Sequence, residues 1–174
     1  MLLVGIGITF IAGSISNIFE FAADNTHLRR ISLWRMGGLD SADYAKVSIA
    51  SVIGVFYVFI LPNYTASLNA LLLGESEAKH LGIDVDHVKR ILIISVALGL
   101  GVSVALAGTI AFVGLVIPHA TRIITGQNHH YLLPLSAILG AILLLLADTL
   151  SRTILAPSEV PVGIITSLIG APIF

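Results

Sequence analysis

From Ile91 to Ile124 the chain is apolar almost without interruption: it holds no Asp, Glu or Lys, and Arg122 is its one formal charge. As one helix this run would be about 50 Å long at 1.5 Å per residue. The hydrocarbon core of a bilayer is only about 30 Å thick. A run too apolar to leave the membrane and too long to cross it once must fold back, and the spacing predicts two short spans that turn near Ala107–Thr109. The composition calls for the same solvent. Hydrophobic residues make up 56% of the 174-residue chain and charged ones 11%, with a mean hydropathy of +1.00. Soluble domains carry about 25% charged residues.

Other apolar runs complete the pattern. Residues 2–21 carry almost no charge and have no Lys or Arg before Arg29. They lack the basic start and small-residue cleavage site of a secretory signal, and are read as a first transmembrane helix. A polar loop, Asp24 to Asp43, separates this from a second segment at 44–61 that ends at Pro62. Segments three and four come from the Ile91–Ile124 run, segment five spans about 131–150, and segment six begins near Val160 and is still apolar at Phe174. The expected fold class is all-α: a polytopic transmembrane helical bundle of about six segments, one domain over 1–174. Spanning helices satisfy their own backbone polar groups and touch through small residues. Ala97, Gly101 and Ala105 recur every four residues in segment three, as do Gly99, Ser103 and Ala107, while Ala137, Gly140 and Ala141 serve segment five.

Charge and motifs narrow the function. Net charge is −1 with no basic cluster for nucleic acid. There is no cysteine for a disulfide, thiolate metal site or redox pair. No phosphate-cradling GxxxxGK[ST] loop, HExxH or GxSxG occurs. Adjacent His129 and His130 could suggest a metal, but neighbouring helical residues point about 100° apart, and both are read as solvated at a loop-to-helix junction. Positive charge leaves orientation open: Lys79, Lys89, Arg90 and Arg122 lie toward one side, and Arg29, Arg30, Arg35, Lys46 and Arg152 toward the other.

Four sites stand out. Residues 68–86 (LNALLLGESEAKHLGIDVD) are too polar to span and read as two short helices. Glu75–His80 forms the first, Gly82 breaks it, and Asp84 caps the second. This pair suits either a docking surface for a soluble partner or a plain connecting loop. In segment four, Pro118 cannot donate to the Gly114 carbonyl and its ring crowds that turn, so glycine there eases a bend; His119 and Arg122 follow on one face. Asp148 and Arg152 can pair across one helical turn, although a guanidinium has more donors than one carboxylate uses. Ser14, Ser16 and Asn17 are the strongly polar side chains inside segment one, suited to a pore lining or to bonds between helices.

The strings LNALLLGESEAKHLGI, GVSVALAGTIAFVGLVIPHATRII, LLPLSAILGAILLLLADTLSR and PSEVPVGIITSLIGAPIF, with ISLWRMGGL earlier, resemble the FecCD permeases that import iron–siderophores, heme and cobalamin. Order and spacing both match, from about that family's fifth span onward. The resemblance implies a permease subunit in the cell inner membrane, without a cofactor or catalytic group of its own. A cytoplasmic ABC ATPase would drive it, an extracytoplasmic binding protein would deliver the ligand, and a second permease subunit would complete a pore at the interface. Gly74, Glu75, Ala78, Leu81 and Gly82 would couple to the ATPase, Arg152 would dock the binding protein, and Ser14, Ser16 and Asn17 would line the path. Glu75 would then lie inside and Arg152 outside, which requires an odd number of crossings between them and agrees with splitting 91–124. Family members are about twice this length, which leaves a truncated, non-transporting remnant or one piece of a split gene as an alternative. A secondary transporter is disfavoured because the ionisable residues cluster at helix ends rather than mid-membrane. A metal enzyme would need His119, His129 and His130 to converge.

Overall fold

The computed structural model describes residues 2–155 and 160–173. Among them the chain forms α-helices and 3-10 turns and no strand. Two compact units result, Met1–Arg35 and Met36–Phe174.

The first unit holds α1 (Leu2–Phe21) and α2 (Asn25–Arg35). The apolar side chains of α1 face outward, with Phe10 73% exposed, as a helix surrounded by lipid or by other helices requires. The region expected as a polar loop from Asp24 instead contains α2. Its cause is local: the Asp24 carboxylate accepts the His27 amide at 2.9 Å, satisfying one of the donors that a helix start leaves unpaired. Arg35 then pairs with Glu20 near the end of α1.

In the second unit, α3 (Tyr44–Ile60) starts on a cap in which Asp43 accepts the Lys46 amide at 2.7 Å. The chain does not leave the helical path at Pro62 as expected. Pro62 sits near the start of a 3-10 turn, Leu61–Tyr64, where its missing amide costs nothing, and α4 (Thr65–Leu71) follows directly. Then come α5 (Glu75–His80) and α6 (Val85–Ala107). The second short helix expected after Asp84 is the opening of α6 itself. Asp84 caps it as predicted, accepting the His87 amide at 3.0 Å, but nothing stops the helix before Gly108.

The predicted fold-back is present. Residues 108–112 are non-helical between α6 and α7 (Val113–Thr125), with Gly108 at φ 71° and Phe112 at φ 66°. Glycine reaches such angles freely and phenylalanine does not. α8 (His129–Thr153) and α9 (Val162–Gly170) complete the chain.

Among the described residues four helical stretches are long and apolar enough to cross a membrane: Leu3–Phe21, Tyr44–Leu71, Val85–Ala107 and His129–Thr153. Segments four and six are shorter than expected, at 13 and 9 residues. Phe174 and residues 156–159 lie outside the described residues. The small core lies where α9 crosses α8, with Ala147, Val162 and Ile165 buried. Gly99 receives the Tyr57 ring, whose hydroxyl donates to the Ser95 carbonyl; a Cβ at Gly99 would lie 2.6 Å from that hydroxyl. Gly101 and Gly140 meet nothing within 4 Å, so of the three glycines in that pattern Gly99 alone is in close contact.

Candidate functional site: a glycine-bounded hinge and the two ends of α8

The predicted hinge has a specific construction. Gly74 starts α5 at φ 113° and Gly82 follows it at φ 81°, both in open space. The Ile83 amide bonds the Ala78 carbonyl at 3.1 Å and the Gly82 amide bonds that of Lys79 at 3.0 Å. This is a Schellman stop, the bond pair that closes a helix through one left-handed residue. Glycine fits that residue because any Cβ would be strained there. α4, α5 and α6 meet at this corner, and Ala78, Val85 and Val88 are buried.

Ala78 is completely buried. It supports α5 from beneath and cannot itself meet a partner, which corrects its expected place in the docking surface. Gly74, Glu75, Leu81 and Gly82 remain exposed. Leu73 and Leu81, 67% and 64% exposed, stand among Glu75, Glu77, Lys79 and His80. Apolar knobs within a charged, water-facing rim are the composition of a protein contact. Glu75 pairs with Lys89 at the start of α6. The Lys89 ammonium, bonded to it and charged beside it, holds the Glu75 carboxyl below its ordinary value of 4.5.

The sequence reading missed a second feature at the same end of the molecule. His129 is largely buried rather than solvated. Its backbone amide donates to Asn69 Oδ1 at 2.8 Å and its Nδ1 lies 2.9 Å from the same oxygen. Asn69 Nδ2 donates to Asn128 Oδ1 at 2.9 Å, and that oxygen also accepts the His130 amide at 3.0 Å as the cap of α8. The His130 ring packs edge-on against Tyr131 instead, so the two imidazoles do not converge. No group of three or more His, Asp or Glu placed to hold a metal occurs among the described residues. The available signal was Asn128 ahead of an apolar run, an N-cap preference; nothing in the sequence points from it to Asn69.

The far end of α8 carries the predicted pair. Arg152 Nε donates to Asp148 Oδ2 at 2.9 Å and Nη2 to Oδ1 at 3.2 Å. With 25 residues, α8 is about 37 Å long, enough to put Arg152 and the Asn69–His129 contact at opposite faces of a membrane. Close backbone contacts hold the Arg152 end. The Gly38 amide bonds the Ala107 carbonyl at 2.9 Å and the Gly163 amide bonds the Gly37 carbonyl at 3.3 Å. A Cβ on Gly163 would stand 2.0 Å from the Met36 carbonyl oxygen.

α7 runs unbroken through Pro118, and Gly114 has open space around it. The Thr121 hydroxyl turns back to the Ile117 carbonyl at 2.7 Å. In α1, Ser14 and Asn17 share a face, whereas Ser16 lies about 100° around from Asn17 and bonds its own helix at the Ala12 carbonyl, 3.0 Å away. The three do not form one polar stripe. An apolar cavity of about 670 Å³ lies between α3 and α6, lined by Tyr57, Leu100, Val104 and Ile110 among others.

Comparison with known proteins gives this arrangement its context. The model of the FecCD transport family matches residues 1–174. The hemin transport system permease protein of Yersinia pestis is 41% identical over 174 residues, covering all of this chain and 52% of that protein. The vitamin B12 import system permease protein of Vibrio cholerae is 40% identical and the iron(3+)-hydroxamate import system permease protein of Bacillus subtilis 39%, each over the whole chain and 52% of its own length. A solved structure described as a metal-chelate type ABC transporter in an inward-facing conformation superposes with a TM-score of 0.91 at 32% identity, over 99% of this chain and 56% of that one. The chain thus spans about half the length of the relatives it matches.

Proposed function

Because the chain belongs to the FecCD transport family and is a multi-pass membrane protein, we propose that it forms the second half of the membrane pathway of an ATP-driven, binding-protein-dependent importer. The cargo class is a metal chelate: an iron–siderophore first, with heme and cobalamin as the other members of the class. The relatives divide among these. In this reading a separate cytoplasmic ATPase receives Glu75 and Leu81 between the two glycine stops. An extracytoplasmic binding protein docks at Arg152 through an acidic surface, and a second permease subunit closes the pathway in the cell inner membrane. ATP closure moves the hinge, and the pathway opens to alternate sides. Ser14 and Asn17 face that pathway, with Ser16 turned to its own backbone, and α7 flexes at Gly114 and Pro118.

The observation that carries this reading is the hinge: a short helix stopped by glycine at both ends, with exposed leucines in a charged rim, at the opposite end of α8 from Arg152. The test is co-purification with the ATPase from the native membrane. Gly82→Val, which strains a φ of 81°, and Glu75→Lys should each release the ATPase while the chain stays in the membrane. Undiminished association with both variants, or labelling of Ser76→Cys by an impermeant thiol reagent outside intact cells, would remove the coupling assignment.

A further inference from the structure

The Asn69 contact is more than a helix cap. Its atoms can be assigned without ambiguity. Asn128 Oδ1 accepts the His130 amide, so it is an acceptor, and the Asn69 atom facing it must be the donating amide nitrogen. The other Asn69 atom is then the oxygen, which agrees with its accepting the His129 amide. That oxygen can only accept, so the His129 ring must present Nδ1–H to it. Each group facing another in the set is thus matched donor to acceptor. Asn128 and its two bonds are exposed, but His129 is largely buried, so losing Asn69 would leave the His129 donors unpaired in a shielded site.

This network spans 59 and 60 residues of sequence and adds specific polar bonds between two helices that also pack against each other. One is α4, which leads into Gly74 and packs against α5. The other is the first turn of α8, a continuous 25-residue helix ending at Arg152. The Glu75–Lys89 pair, by contrast, ties the hinge only to α6, through exposed groups that salt screens.

We infer that Asn69 is a positioning residue that locks the hinge to the head of α8, so that a displacement of the hinge is carried along α8 to the face bearing Arg152. The transmission part rests on the import reading above; the lock does not. The two parts are therefore tested separately.

For the lock, the chain has no native cysteine, so spin labels at Ser76→Cys and Gln127→Cys report the spacing between hinge and α8 head in lipid nanodiscs. The unmodified network should give one narrow distance distribution. Asn69→Ala should broaden it, and an equally narrow distribution in that variant would overturn the lock. If Asn69→Ala fails to insert, the pair His129→Leu and His129→Asn decides the same question. The Asn side chain places an N–H close to where Nδ1–H stood, so it should restore the narrow distribution that Leu loses. Equal distributions in the two would overturn the lock.

For transmission, the complex is purified with its accompanying subunits and reconstituted, using hemin, cobalamin or an iron(III)-hydroxamate as cargo. Asn69→Ala should keep ATPase association and basal ATP hydrolysis but lower cargo moved per ATP about ten-fold, with His129→Asn close to the unmodified protein. Unchanged cargo per ATP beside a broadened distance would overturn transmission and leave the lock standing. An unmodified chain that neither holds an ATPase nor moves any of the three cargoes would overturn the import reading and transmission together.

Discussion

At its His129 end, α8 is gripped by Asn69, sixty positions earlier in the chain. At its Arg152 end the Arg152 guanidinium bonds Asp148, one turn back on the same helix, and the Ser151 carbonyl accepts the Val160 amide at 3.2 Å. The first contact is neutral, partly buried and joins distant pieces of chain; the second is charged, exposed on the arginine side and joins a helix to itself. The difference separates a contact between distant pieces of chain from one within a single helix. At His129, which is buried, a broken bond leaves a desolvated donor, whereas the Asn128 bonds lie at the surface. An exposed pair four residues apart exchanges its partner for water at little cost. The mechanical end of α8 is therefore the hinge end. At the Arg152 end close backbone packing does the holding.

That last point yields the largest expected effect. Gly163 fits because its Cα approaches the Met36 and Thr109 carbonyls; a Cβ would come within 2.0 and 3.2 Å of their oxygens. These are backbone atoms and cannot rotate away. Gly163→Ala should destabilise the second unit by about 3 kcal/mol, read as a lowered unfolding midpoint in detergent. Gly101→Ala, which meets nothing, is the matched control. If both behave alike, the Arg152 end is not held by packing and the contrast between the ends fails.

The next effect compares the ends directly. Asn69→Ala strands the His129 ring N–H in a largely buried site and should cost about 1–3 kcal/mol. Arg152→Ala removes a pair that is exposed on the arginine side and should cost about 1 kcal/mol or less. Measured together by chemical unfolding, the two costs should keep that order. An Arg152 cost equal to that of Asn69 would mean that the arginine is a structural brace, and its proposed role in docking would lose its physical basis.

The same contrast explains what the sequence could disclose. Features whose cause is local were legible: the apolar runs, the fold-back that bilayer thickness forces on 91–124, the glycine stop at 82, the Asp84 cap and the Asp148–Arg152 pair. Each needs only a neighbour within about four residues, or a length compared with the membrane. Features whose cause is distant were not. His129 reads as a loop residue because Asn69, the partner that bonds its amide and ring, is remote in sequence. Gly37 and Gly163 give no hint that they meet. Ala78 belongs to a docking motif by resemblance, yet it faces inward because α4 and α6 close over that side. The α2 helix was hidden differently: its polar surface masks a helix that its cap begins. The hinge as a chain feature was readable, then, and its fastening to α8 was not.

The smallest effect tests whether the hinge has a second, weaker tie. Glu75 titrates below its ordinary value of 4.5 because the Lys89 ammonium bonds and attracts its charged form. For a carboxyl depressed in the folded state, the stabilising contribution is present above the unfolded value and lost as pH falls through the folded one. The tie should therefore be complete near neutral pH and vanish under acid conditions, below 4.5. A carbon-detected NMR titration of the Glu75 carboxyl should show the depressed midpoint, and Lys89→Ala should return it toward 4.5. Raising salt from about 0.05 to about 0.5 M should do the same, since it shortens the screening length to a few ångströms, while the Asn69 network, being neutral, should not respond. If salt instead loosened the hinge from α8 as strongly as Asn69→Ala does, charge rather than the neutral network would be what fastens it, and the two ends of α8 would differ only in degree.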